Sequence, residues 1–254
     1  RLHLNIWTSV KDVWITDEEW MYGQPDLDIS KMKGLPCIAS LDLSQTSDLT
    51  AFTLLFPPSQ RDYYPDKYLS FNWFWLPELK GKDSADKNNQ NYAKWLEEGF
   101  IEETPGNVID YDIIEDRICE ILDEFQLIKF YYDPANSTQI VSKLGEYLGF
   151  DNMIKHRQNF QTMNEPTKVL EVLIKKGAFY HGNNPVLRWN AANAVLVTLK
   201  NGNLVKIDKN IYAQKIDGII TNIMAISGTI GLQEQTGSWT DGLTEEQIIE
   251  ILKG

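Results

Sequence analysis

Sulfur and imidazole are scarce in this chain: 254 residues hold two cysteines, Cys37 and Cys119, and three histidines, His3, His156 and His181. Two cysteines with no partner at metal-ligand spacing make neither a disulfide scaffold nor a zinc site, and both thiols are expected to be buried. Three scattered histidines do not support a histidine-based metal site. No GxxxxGKS or GxxxxGKT run occurs, so a P-loop nucleotide site is absent from these residues. No GxGxxG follows a strand, and GxSxG and HExxH are missing, which leaves dinucleotide, serine-nucleophile and zinc-protease readings without support. The apolar stretch at 219–230 is broken by Thr221, Asn222 and Ser227, well short of the roughly 20 residues that span a bilayer. The expectation is an intracellular globular protein with no membrane partner. Because it opens on Arg1 rather than Met, we expect a piece of a longer polypeptide.

What is present is a core and a great deal of carboxylate. Hydrophobic residues make up 43% and aromatics 11%, enough to bury a sizeable interior. The net charge is −12, from 24 Lys/Arg against 36 Asp/Glu, which on average repels a phosphate backbone. The distribution is polarised, however. Residues 129–215 hold 12 Lys/Arg and 6 Asp/Glu, whereas residues 83–128 carry 13 carboxylates and three Lys/Arg. Such asymmetry permits a polyanion partner without requiring one, because two differently solvated faces explain it equally well.

Patterning predicts the organisation. Residues 1–35 read as a lead-in arm with a short capped helix after Thr16 and with Trp7, Trp14 and Trp20 pinning it to the body. Strands are predicted at 37–45, 50–59 and 67–78, the first two antiparallel because their link is short. Apolar spacing near 3.6 then predicts helices at 89–100 and 111–125. A strand over IKFYYDPAN follows, then a helix at 137–148, a short strand at 151–160 carrying Lys155, His156 and Arg157, and helices at 165–176 and 183–200. A turn at Asn201-Gly202-Asn203 leads into the strand LVKID, followed by a long helix at 211–226, a loose stretch at 231–243 and a small helix at 244–252. A leading antiparallel meander followed by alternating strands and helices is an α/β layer fold with a mixed sheet. The body is expected at 36–230 and a tail at 231–254.

Carboxylates in apolar settings are the remaining source of chemistry. Asp42 lies mid-strand among Ile38, Ala39, Leu41 and Leu43, where a charge is costly unless paired or bound to a cation. Asp133 ends the strand IKFYYD just before Pro134, and ligands gather outside strand ends in such sheets. Asp217 lies on the last predicted helix beside Ile216, Gly218 and Ile219. Three hard oxygen donors suit Mg²⁺ or Mn²⁺, and a pair of such ions performs in-line attack on phosphodiesters. Ordinary structural roles remain open for two of the three: Asp133 as a turn or helix-capping residue, and Asp217 as a partner of Lys215.

At these residues the chain resembles the C-terminal nuclease domain of tailed-phage terminase large subunits, of the HK97-like branch. The resemblance is carried in order through residues 37–228 by LDLSQTSDLTAF, FWLPE, YYDPAN, HGNNPVLRWNAANAV and DKNIYAQKIDGIITNIMA. LHLNIWTSV is similar to the segment joining that family's ATPase motor to its nuclease. The resemblance implies an RNase H-like (RuvC-like) mixed β-sheet flanked by helices and a metal-dependent endonuclease that cuts concatemeric double-stranded DNA at packaging. It implies an acidic triad of Asp42, Asp133 and Asp217 holding two Mg²⁺ or Mn²⁺ ions. The ATPase domain of the same polypeptide, the portal protein and the small terminase subunit are the implied partners, and the host cytoplasm at the procapsid portal is the implied location. Asp48 is an auxiliary ligand or a turn cap, Asn193 or Asn190 orients a site carboxylate, and Asp208 reads as structural. His181 reads as a loop residue bonded to backbone. Lys155, Arg157, Lys206, Lys209 and Lys215 are candidate phosphate contacts, although any one of them taken singly reads better as an ordinary solvated charge. Two other classes stay open: another RNase H-like enzyme such as a junction resolvase or transposase, and a portal or small-terminase docking module with a vestigial site.

Overall fold

A computed structural model describes residues 9–44, 49–59, 61–78, 89–135, 138–199, 204–209 and 215–236. The arm forms a strand β1 (Ser9–Val13) and a helix α1 (Asp17–Met21). Thr16 and Glu19 close a reciprocal capping box on α1, as the Thr16 signal predicts. Trp14 and Trp20 are both buried against the body; Trp7 lies outside the described residues.

The main sheet is built from β2 (Pro36–Asp42), β3 (Thr50–Phe56), β4 (Tyr68–Pro77), β5 (Glu102–Thr104), β6 (Gln126–Tyr132) and β7 (Met153–Lys155), in the order β5-β4-β3-β2-β6-β7. A two-residue strand β8 (Phe179–Tyr180) pairs with β4. β2 and β3 are antiparallel, as their short link requires, and β3 is antiparallel to β4. β6 runs parallel to β2, and β7 parallel to β6, so three neighbouring strands end at the same edge. The sheet is therefore mixed in the way its element order predicts.

Helices cover both faces. On one side lie α2 (Asn89–Glu97), α5 (Phe160–Lys175), α6 (Pro185–Asn193) and α7 (Asp217–Thr236); on the other lie α3 (Tyr111–Leu122) and α4 (Thr138–Leu148). Alternation along β2 assigns its residues to the two faces: Ala39 and Leu41 join the α3–α4 core, and Ile38 joins the α7 core. Ser40 and Asp42, in phase with Ile38, face α7. Cys37 is fully buried and its thiol is pushed up to about 12; Cys119 is only half-buried, not enclosed as expected.

Two helix assignments need correction. The apolar pattern over 183–200 is not one helix: α6 stops at Asn193, and Ala194–Thr198 form β9, paired antiparallel with β1 and with β10 (Val205–Lys209). Ala194, Val195 and Val197 fit either period because the run is short and apolar, and β-branched valines together with a free partner from the arm decide for strand. The final helix starts at Asp217 rather than 211 and continues to Thr236, into the stretch expected to be loose. Residues 211–214, the turn at 201–203 and the tail helix at 244–252 lie outside the described residues. Among the described residues no helix is long and apolar enough to cross a membrane.

Candidate functional site

Asp42 is the last residue of β2, and Asp217 is the first residue of α7. The two meet in a pocket of about 250 Å³, which is also lined by Gln158, Met163, Lys206, Ile207, Asp208, Lys209, Ile216 and Ile220. Each aspartate is half-buried. Burial is the main reason that both carboxyl groups lie above the usual range. At Asp42 the shift is large, because the charges of Asp217 and Asp133 add to it while a hydrogen bond from Gln158 Nε2 to Oδ1 (3.0 Å) works against it. At Asp217 the ammonium groups of Lys209 and Lys215 and nearby backbone N–H groups partly offset burial. Oδ2 of Asp217 is buried and accepts no hydrogen bond. Two carboxylates sharing a pocket, one with a buried oxygen unsatisfied, form a group that favours a shared positive charge, whether a proton or a cation.

Asp217 owes its position to a helix start that is capped from another helix. Asn190 Oδ1 accepts the N–H of Gly218 at 2.7 Å, doing from α6 what a local N-cap residue does elsewhere. Asn193 Nδ2 donates to the carbonyl of Lys215 at 3.0 Å. Both asparagines thus act on the backbone that carries Asp217, not on a carboxylate. Gly218 is required here: a Cβ would fall 2.8 Å from Leu187 Cδ1 and from the ring of Phe74.

Asp133 follows the end of β6, whose residues Leu41↔Tyr132 pair in register with β2, so Asp133 sits beside Asp42 at the same strand-end edge. It is half-buried and accepts the N–H of Ala135 at 2.9 Å, the turn role its Pro-linked position also suggests. Its charge reaches Asp42 and His156, but it does not line the pocket. Among the described residues, no three His, Cys, Asp or Glu side chains stand close enough together to form a ready-made metal cage. Asp48 lies outside the described residues.

The candidate phosphate contacts divide into two groups. Lys155 closes β7 and Arg157 follows it, both exposed at the strand-end edge. Lys206 and Lys209 come from β10 and line the pocket, and Lys206 stands 3.9 Å from Asp208 Oδ2 and over the ring of Phe160. Lys215 is half-buried, and burial lowers its pKa. Two lining residues were not among the sequence candidates. Asp208, read there as structural, places a third acid at the rim, and Gln158 bonds Asp42; neither has a spacing signal, because both reach the pocket by tertiary folding. His156 is buried beside the edge, with Nε2 2.8 Å from Ser227 Oγ. His181 behaves as expected of a loop residue bonded to backbone, with Nε2 3.0 Å from the Trp20 carbonyl.

The chain is 30% identical over 207 residues to the terminase large subunit of Enterobacteria phage HK97, covering 80% of this chain and 39% of that protein. It superposes on the crystal structure of the HK97 large terminase with a TM-score of 0.73 at 27% identity, over 86% of this chain and 44% of the other. The large terminase nuclease of thermophilic phage G20c with bound magnesium gives a TM-score of 0.52 at 10% identity, over 84% and 96% of the two chains; at that identity the likeness concerns the fold alone. The fold is thus the RNase H-like arrangement that the sequence resemblance implies. The chain spans about half, or less, of the length of the curated relatives it matches. Residues 1–230, arm included, match the family described as the terminase large subunit endonuclease domain, and the chain belongs to that family.

Proposed function

We propose that this chain is the metal-dependent endonuclease part of a viral DNA-packaging terminase and hydrolyses phosphodiester bonds of concatemeric double-stranded DNA. The observation that carries the reading is the pairing of Asp42 with Asp217 in one polar pocket, with the buried Oδ2 of Asp217 left unsatisfied. Carboxylate oxygens are hard donors that suit Mg²⁺ or Mn²⁺, and the nuclease of phage G20c has been solved with magnesium bound. Asp42, Asp133 and Asp217 would together hold the divalent ions. Bound there, such ions would supply an activated water and stabilisation of the leaving 3′ oxygen, which would give 5′-phosphate and 3′-hydroxyl ends.

The chain's own residues prepare that chemistry. Gln158 fixes the rotamer of Asp42 by donating to Oδ1. Asn190 and Asn193 hold the peptide groups on either side of Asp217. Lys209 and Lys215 lower the cost of keeping Asp217 ionised. Lys155, Arg157, Lys206, Lys209 and Lys215 are proposed to contact DNA phosphates around the strand-end edge, which positions DNA without reading its sequence. Residues 1–35 would serve as the arm from an ATPase domain of the same polypeptide, 36–230 as the nuclease and 231–254 as a tail. Portal protein and small terminase subunit are the proposed partners, at the procapsid portal in the host cytoplasm.

A supercoiled-plasmid assay tests the reading. We expect nicking and linearisation with Mn²⁺ or Mg²⁺, lost in Asp42→Ala and in the presence of EDTA. Cutting retained by Asp42→Ala would overturn it, as would inactivity of the unaltered chain with every divalent ion.

A further inference from the structure

The helix α7 is almost wholly apolar where it crosses the sheet, with Ile219, Ile220, Ile223, Met224, Ala225 and Ile226 all buried. Contacts of that kind are non-directional and specify poorly how far a helix is slid or rotated. One residue of slip moves it 1.5 Å along its axis and 100° around it. Yet Asp217 must meet Asp42 from one end of this helix. Against that background, one turn of α7 carries two fully buried polar side chains, Thr221 and Asn222. They are not satisfied within the helix alone. Thr221 Oγ1 lies 2.7 Å from Thr53 Oγ1 on β3 and donates to it when the Thr53 proton is given to Asn72, and the Thr221 carbonyl accepts from Ser40 Oγ on β2 at 2.7 Å. Asn222 Nδ2 donates to Asn72 Oδ1 on β4 at 2.8 Å, and Asn222 Oδ1 accepts from Ser70 Oγ at 2.5 Å. Asn72 in turn accepts from Thr53 at 2.7 Å and donates to Ser70 at 2.9 Å. The same turn reaches back to the site: Thr221 Oγ1 and Asn222 Nδ2 lie 2.9 and 2.6 Å from the carbonyl of Gly218, the residue next to Asp217.

We propose that Ser40, Thr53, Asn72, Thr221 and Asn222 form a register pin that sets the spacing of Asp217 from Asp42, and so act as positioning residues for the divalent-cation site. The proposal rests on the metal-site reading given above. Ser40 is two residues before Asp42 on the same face of β2, and Thr221 is four after Asp217, so the Ser40–Thr221 bond joins the two carboxylate-bearing elements directly. A slip of α7 by one residue would break these bonds together and leave buried polar atoms unpaired, whereas its isoleucines would still meet apolar neighbours. Stability alone does not call for such a network, because buried polar groups can often be exchanged together for apolar isosteres without loss.

The test uses the whole chain and Mn²⁺ as probe, with binding followed by titration calorimetry and melting temperature measured without metal. In the double variant Thr53→Val/Thr221→Val, two facing hydroxyls become methyls. We expect a metal-free melting temperature at or above that of the unaltered chain, with Mn²⁺ affinity weakened about 10- to 100-fold, as for other groups behind metal ligands. Thr221→Ser, which keeps the hydroxyl, should restore affinity. Ser40→Ala removes a single bond and guards against a double variant that does not fold; it should weaken Mn²⁺ binding by several-fold. Wild-type Mn²⁺ affinity in a folded Val/Val or Ser40→Ala protein would overturn the pin. If the unaltered chain and Asp42→Asn respond alike to Mn²⁺, the metal-site reading itself falls, and the pin with it.

Discussion

Asp217 is half-buried and His181 fully buried, and the fold treats the two titratable groups in opposite ways. Asp217 sits in a pocket beside a second carboxylate with one oxygen unsatisfied. Asp217→Asn should therefore raise the metal-free melting temperature while abolishing any Mn²⁺-induced increase. A gain on the order of 1 kcal/mol would appear as about 2–4 °C by calorimetry in a chain of this size. His181 is stacked on Trp20 with ring centroids 4.3 Å apart, and its Nδ1 is buried without a partner, so burial holds the imidazole down at about 4. The neutral ring is the folded form. Above pH 6.5 neither state is protonated and there is no penalty. As the pH falls from about 6.5 towards 4, the unfolded chain takes up a proton that the folded one refuses, and stability is lost. The full shift corresponds to about 3 kcal/mol. Urea denaturation of the unaltered chain and of His181→Gln at pH 7 and pH 4.5 should show a smaller acid loss in the variant; equal losses would remove His181 from the account.

At the scale of elements, α7 is the part on which the site depends most, and its glycines show how closely it approaches its neighbours. A Cβ at Gly218 would meet Leu187 and Phe74, and one at Gly228 would meet Tyr131 and Ile38 at 2.8 and 2.9 Å. Gly218→Ala should cost about 1–3 kcal/mol through overpacking. Because Asp217 is the adjacent residue, cleavage should fall by more than the loss of folded protein explains, which plasmid assays below the variant's melting temperature can measure. Most elements were legible in the sequence. The Thr16 capping signal, the meander at 36–77 and the helices around 111–122 and 138–148 follow from local pattern and cap chemistry. The run at 183–200 was not. Whether Ala194–Thr198 coil or extend depends on pairing with β10 and with β1, the latter roughly 180 residues away in the chain, and no local period contains those partners. The start of α7 was likewise hidden, because its cap comes from Asn190 rather than from the residue before the helix.

For the whole molecule, charge is the property that would most shape the proposed encounter with DNA. A net charge of −12 opposes association, while Lys155 and Arg157 stand exposed at the edge where β2, β6 and β7 end. Affinity for duplex DNA should be weak and fall steeply as salt rises. If both residues contact phosphates, Lys155→Ala/Arg157→Ala should reduce the slope of log K against log salt by about one per residue, with cleavage at saturating DNA largely retained. An unchanged slope in fluorescence anisotropy titrations would assign them to solvated surface. By itself the sequence determined the mixed α/β class, the order of most elements and the choice of Asp42 as a residue needing a partner, since periodicity, caps and the cost of a carboxylate in an apolar run are local properties; that Asp42 ends β2 rather than lying mid-strand was seen only in the structure. Tertiary structure alone decided which groups face Asp42. Gln158, Lys209, Asp208 and Asp217 reach one pocket because parallel strand ends, a hairpin and a helix start converge there, and convergence of segments distant along the chain leaves no spacing to read.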